Sequence, residues 1–296
     1  MFSSLRRLVV LILTFMTLFG MINLSRADTL RLGVLAPRGE LKAQARWTEL
    51  ADYFKTETGH DVKLVPLAPS RVVNAAQQKQ VDFVLSHSPH TVQLEEKLGA
   101  TVLATLNTKD GSRFGGVIVA RKDSGIKTGG DLRGKNVMSL KFRAAAGAYI
   151  FQTYHLMKEG IDPQKDFGSL REGKKQDDLV LAVQNGLIDA AFVRTGLLET
   201  MQREGKITLS DFQIVDQQTG DGFSLLRSTE LYPEWCLSVL PGVSNDVAAQ
   251  FKAAALKLKP DQPAAQKARI NGFVEPVPLD KIKQALRFLH ISPYNT

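Results

Sequence analysis

From Leu30 onward, short apolar runs alternate with longer stretches in which apolar residues recur three or four positions apart. The runs have the length of buried strands, and the spaced stretches have the period of helices with one buried face. "LRLGVLA" (30–36) predicts a strand. Glu40 to Thr58 predicts a helix with apolar positions at Leu41, Ala45, Leu50, Tyr53 and Phe54. "DVKLVPL" (61–67) predicts a second strand, and Ser70 to Gln80 a second helix with Ser70 as its N-cap. "VDFVL" (81–85) is a third strand and Pro89 to Leu98 a third helix. Strand–helix units in succession predict a parallel sheet covered by helices.

After "ATVLATLNT" and "RFGGVIVARKDSG", the stretch from Lys122 to Arg133 is rich in Gly, Lys and Asp and marks a passage into a second unit. There the alternation restarts, with strands at "KNVMSL", "DFGSLRE" and "DAAFVR". Helices are expected at Ala144–Glu159, Asp177–Leu187 and Gly196–Glu204. "DFQIVDQQ" (211–218) suits an extended return crossing, and helices at Asp246–Leu258 and Asp280–Leu289 are expected to pack back on the first unit. The fold class is therefore α/β: a clamshell of two α/β lobes joined by two hinge crossings. Lobe 1 is expected over residues 28–118 and 217–296, and lobe 2 over 119–216.

In sheets of this kind ligands sit beyond the carboxyl ends of the strands. One such end is "SHSPHT" (86–91), where Ser86, His87, Ser88 and His90 crowd together. A metal site, part of a catalytic site, the mouth of a ligand cleft and a plain turn are the readings open to it. Ser88 before Pro89 suits an N-cap with a first-turn proline, and a helix N-terminus favours an anion. No third ligand accompanies the two histidines, the other three being scattered, so no metal is expected. No Ser-x-x-Lys, Gly-x-Ser-x-Gly or Cys/His arrangement points to catalysis. Basic residues recur at the other strand ends: Arg38, Arg71, Lys141, Arg143, Lys174, Lys175 and Arg194. Of these, Arg38, Arg143 and Arg194 offer fork-shaped recognition of an oxyanion, with Lys141 beside them. "AAAG" (144–147) offers a small-residue helix start that a ligand can approach closely.

Composition adds a compartment and removes some partners. "MFSSLRRLVVLILTFMTLFGMINLSRADTL" has a basic start, an apolar stretch and a small-residue Ser25-Arg26-Ala27 end, so residues 1–27 are expected to be a cleaved signal peptide. The competing reading is an uncleaved anchor. The formal charge of +8 falls to +5 when Arg6, Arg7 and Arg26 leave, a mild excess that suits small anions. It is spread along the chain without a basic tract, so nucleic acid is not an expected partner. The single cysteine, Cys236, has no internal partner for a disulfide. It is either a small buried side chain or a reactive thiol.

The stretches "LRLGVLAPRGE", "DFVLSHSPHTVQLEEKLGA", "FGGVIVAR", "DLRGKNV", "FVRTGLLETM" and "STELYPEW" resemble the phosphonate-type (PhnD-like) periplasmic solute-binding proteins. They are closer still to the sensor domain of tetrathionate-sensing histidine kinases. "LYPEW" and the pair Arg194-Thr195 carry most of the specificity. The resemblance implies a type II periplasmic-binding-protein clamshell that closes on a small anion, with no cofactor and no enzymatic activity. It implies a partner that is either an ABC-transporter permease or a separate sensor histidine kinase. The residues expected to hold the ligand are Arg38, Ser86, His87, Ser88, His90, Lys141, Arg143, Arg194 and Thr195. One departure bears on the ligand. Phosphonate binders carry a Ser/Thr-rich start to the second-lobe helix, and here Phe142, Arg143, Ala144, Ala145 and Ala146 stand there. A thiol-based chemistry at Cys236 is the remaining enzymatic reading.

Overall fold

A computed structural model describes residues 29–295; the expected signal peptide lies outside the described residues. The first lobe begins with strand β1 (Leu30–Leu35), helix α1 (Glu40–Thr58), β2 (Val62–Leu67), α2 (Val72–Gln77), β3 (Phe83–Ser86), α3 (Ser88–Leu98) and β4 (Thr101–Asn107). The chain then passes through β5 (Arg113–Phe114) into β6 (Gly116–Arg121), β7 (Asn136–Ser139), α4 (Ile150–Lys158), β8 (Ser169–Glu172), α5 (Gln176–Gln184), β9 (Ala190–Arg194), α6 (Leu197–Arg203) and β10 (Phe212–Ile214). It returns through β11 (Tyr232–Pro233) to β12 (Cys236–Val239), α7 (Asn245–Lys257), α8 (Pro263–Ala268), β13 (Gly272–Val274) and α9 (Asp280–Phe288).

The two sheets share one plan. The first has the order β2-β1-β3-β12-β4-β13 and the second β8-β7-β9-β6-β10. In each, three parallel strands are followed by one that runs antiparallel to them. That antiparallel strand is the one entering from the other lobe: β6 on the outward passage, β12 on the return. The passages lie side by side, because β5 and β11 pair antiparallel with Phe114 opposite Tyr232.

Each lobe has its own core. In the first, Phe83, Phe251 and Phe54 stack in series, with ring centres 3.9 and 5.0 Å apart. In the second, the valines of β6 and β9 meet Val180 and Val183 of α5 on one face, while Phe192 meets Leu156 of α4 on the other. A further cluster joins the lobes: Val92 of α3, Phe151 and Tyr154 of α4, Phe114 and Tyr232 of the hinge, and Ile282, Ala285 and Leu286 of α9. These last three recur at helical spacing, so α9 presents one apolar face to helices of both lobes. Among the described residues, no helix is long and apolar enough to cross a membrane.

Several expected elements differ. The helix over 70–80 is a 3-10 turn (Pro69–Arg71) followed by α2, and Ser70 does not cap it. The helix over 144–159 starts late. Arg143 has a φ of 60°, residues 146–148 form a 3-10 turn, and α4 begins at Ile150. Residues 212–214 are the edge strand of the second sheet, paired with β6, not a crossing. The expected lobe border at 118/119 falls within β6. The border at 216/217 precedes a loop that stays attached to lobe 2: Ser228 and Thr229 hydrogen-bond to Gly116 and Ile118. Buried Arg227 donates to the Thr219 and Thr229 carbonyls and to Gln218 in the same loop.

Candidate functional site

Strand β3 ends at Ser86, and His87 turns the chain into α3. His87, not Ser88, is the N-cap: its Nδ1 accepts the His90 backbone N–H at 3.4 Å. In the neutral ring the proton therefore sits on Nε2, leaving a donor. Burial pushes the His87 pKa down to about 4; the hydrogen bond with its own backbone opposes this, and the charge of Arg194 adds to it. His90 is held well below its ordinary value by burial and by His87. The two rings stack 4.1 Å apart, and His90 Nδ1 is 2.9 Å from the Ser86 hydroxyl. Ser88 Oγ is buried and has no hydrogen-bond partner among the described residues. This corner is thus neutral, enclosed and supplied with spare donors.

Arg194 closes β9 in the other lobe. Its backbone N–H donates to Gln176 Oε1 at 2.7 Å, and its guanidinium lies over the Phe114 ring, 4.6 Å from the centroid. Its Nη2 donates to Glu234 Oε1 at 2.7 Å. Glu234 is 4 % exposed, and its second oxygen accepts the Trp235 N–H. Trp235 stacks on Trp47 of α1, and the Arg46 guanidinium lies over Trp47 at 4.4 Å while its Nε donates to the Ala268 carbonyl. A continuous ladder therefore runs from Arg46 in the first lobe to Arg194 in the second. The Arg46 guanidinium is held against Trp47 and the Ala268 carbonyl, although the residue as a whole is exposed. Burial drives its pKa down to about 10; Arg194, Arg269 and Arg38 add to this, and Glu234 opposes it. Arg46 thus feels the charges of three other guanidiniums and of one buried carboxylate, and of these Arg194 is the one that hydrogen-bonds to Glu234.

The structure brings Ser86, His87, Ser88, His90 and Arg194 to this region, while Arg38 is linked to it through its charge at Arg46. Thr195 is buried beside them, exchanging hydrogen bonds with the backbone of Gly115 at the hinge. Lys141 and Arg143 point elsewhere: Lys141 pairs with Glu172 at 3.4 Å, and Arg143 donates to the His290 carbonyl beyond α9. The small residues of 144–147 serve packing. A Cβ at Gly147 would lie 3.0 Å from Arg194, Phe114 and the Gly115 carbonyl. Arg46, Trp47, Glu234 and Arg269 were not among the expected residues, though "LYPEW" contains one of them. Cys236 is fully buried, and burial raises its thiol pKa to about 12, which keeps it protonated.

A sequence model of the family "ABC transporter, phosphonate, periplasmic substrate-binding protein" matches residues 32–280. The chain belongs to this family. The family is one of periplasmic substrate-binding proteins, which gives this chain a solute-binding role. The tetrathionate sensor histidine kinase TtrS of Salmonella typhimurium is 34% identical over 235 residues, 77% of this chain. The chain spans only 39% of that kinase's length. Among solved structures, XAC2383 from Xanthomonas citri bound to ATP superposes with a TM-score of 0.73 at 16% identity, covering 89% of this chain and 98% of that one. PhnD1 from Prochlorococcus marinus, in complex with methylphosphonate, superposes with a TM-score of 0.71 at 15% identity, covering 89% and 99%. This solute-binding protein accordingly has the two-lobed periplasmic-binding-protein fold.

Proposed function

We propose that this chain is an exported binding protein that closes on a small oxyanion of two or more negative charges and delivers it to the permease of an ABC transporter. The observation that carries this reading is the ladder that holds Arg46 and Arg194 on either side of Trp47, Trp235 and Glu234, where Arg46 also feels the charges of Arg269 and Arg38 and Glu234 is the one carboxylate that opposes them. A cationic ligand such as an amino-acid guanidinium would meet repulsion there, whereas a dianion offsets most of the surplus. The neutral histidine corner adds donors without charge: His87 Nε2–H and the unclaimed Ser88 hydroxyl. Arginine and tryptophan together suit weakly hydrated sulfur oxyanions.

A second reading rests on the similarity to the tetrathionate sensor kinase over 77% of this chain. The closed form would then dock on a separate sensor kinase and report a sulfur oxyanion such as tetrathionate.

Calorimetric titration with tetrathionate, thiosulfate, sulfate, phosphate and methylphosphonate tests the site, with L-arginine as the cationic control. Binding of one dianion at micromolar strength, about −8 kcal/mol, is expected, and none of L-arginine. Arg46→Gln should weaken that binding by about 1.5–3 kcal/mol, the scale of a hydrogen bond to a charged group. Tight binding of L-arginine with none of the anions would overturn the reading.

A further inference from the structure

We propose that His155, Glu159 and Asp216 form a binding site for a transition-metal dication of the Zn²⁺ class, in the second lobe and apart from the anion cleft. His155 lies on α4, and Glu159 stands four residues on, at the helix's C-terminal end. Asp216 follows the edge strand β10, 61 residues further along the chain. The fold brings the three together. His155 Nε2 is 3.0 Å from Asp216 Oδ2 and 3.6 Å from Glu159 Oε1, and the three donor atoms all lie within 4.8 Å of one another. Ligands about 2.0–2.1 Å from a tetrahedral zinc ion are separated by about 3.3 Å, so little movement is needed to close the set on a metal.

The charges and the support of the cluster agree with this. Among the described residues, both carboxylates form their ion pairs with His155; Lys158, beside Glu159 in sequence, is instead paired with Glu230. Two negative charges thus face one imidazole. The Asp216 carboxylate is fixed from behind, because the Gly129 N–H donates to both of its oxygens at 3.0 and 3.1 Å. A Cβ at position 129 would sit 2.9 Å from Asp216 Oδ2, so only glycine permits that approach. Such backing orients a ligating carboxylate and holds it ready. His155 and Asp216 are largely enclosed, with side chains 12% and 16% exposed, while Glu159 is 49% exposed and leaves an entry side. Three protein ligands leave a fourth position for water. One imidazole with two carboxylates suits zinc-like ions better than Ca²⁺ or Mg²⁺, which take oxygen ligands in larger number. The bound ion would tie α4 to the point where the chain leaves β10 for the loop back to the hinge.

The test is thermal unfolding and calorimetry of the untagged, metal-stripped protein with ZnCl₂. At zinc about a hundredfold above its Kd, the midpoint should rise by about 5 °C, and EDTA should reverse the rise. MgCl₂ and CaCl₂ should leave it unchanged. Glu159→Gln, at a half-exposed position, should abolish the zinc shift and keep the metal-free midpoint. His155→Gln should do the same while keeping a donor to Asp216. The double variant His87→Asn/His90→Asn should retain the shift. Absence of a shift in the parent protein would overturn the proposal. So would a shift that survives Glu159→Gln and His155→Gln, or one that disappears in the His87/His90 double variant.

Discussion

His87 caps α3 through Nδ1 while burial keeps its ring neutral, and this couples the start of α3 to pH. In the unfolded chain His87 takes up a proton near pH 6.5, in the folded protein only near pH 4. Between those values the unfolded state holds more protons, so stability must fall as the pH drops from about 6.5 to about 4. The fall owed to His87 is on the order of 2 kcal/mol, with His90 acting in the same direction. His87→Asn keeps a capping acceptor and removes the titration. Urea denaturation at pH 7 and pH 4.5 should therefore show a smaller stability difference in the variant than in the parent; equal differences would mean that His87 does not carry it. The histidine corner was legible in the sequence because an apolar run ends abruptly in polar residues. Arg46 was not, since an arginine on the polar face of an amphipathic helix reads as a solvated side chain. Its place in the ladder emerges only when Trp235, 189 positions later, stacks on Trp47 with Glu234 and Arg194 paired beside it.

Elements built from a continuous apolar run, such as β1, β3 and β9, appear within a residue or two of where the pattern puts them. The buried face of α1 does not. Leu41 is 83% exposed, and the face turned to the core is Ala43, Trp47, Leu50, Ala51 and Phe54. Alanines on several sides of the helix leave its phase to be settled by Trp47 and Phe54, the large side chains with most to gain from burial. The late start of α4 was hidden for a similar reason: three alanines favour a helix, yet packing of Gly147 against Phe114 and Arg194 fixes that stretch as a turn. Helix α9 was expected to rest on the first lobe, and its apolar face instead spans both. Leu286→Ala on that face should lower unfolding stability by about 2–5 kcal/mol, read from the denaturation midpoint. A loss below about 1 kcal/mol would mean that α9 packs only loosely at the junction.

Across the whole molecule, the lobes meet through the paired hinge strands β5 and β11, the wedge of α9 and the ladder from Arg46 to Arg194. An anion that engages both ends of the ladder favours the conformation in which they lie closest. Small-angle scattering should then give a smaller radius of gyration on saturation with the ligand; an unchanged radius would mean that the compact form exists without it. The two-lobed plan was legible from the restart of the strand–helix alternation. The lobe borders were not, because the loop over 217–229 is held to lobe 2 by single residues, Ser228 and Thr229, that have no periodic signature. The position of β12 has a consequence for the chain as it is made. Strands β3 and β4 follow one another in sequence but are never neighbours; the slot between them is filled by Leu237, which pairs with Leu85 on one side and Ala104 on the other. Until residue 239 has emerged, the first sheet has a missing rib and two bare edges, while the whole second sheet is already complete in the nascent chain. The lobe that begins the protein is therefore the last to finish folding. A polypeptide cut short before β12 would present those edges to its neighbours, as an aggregating fragment rather than half a clamshell.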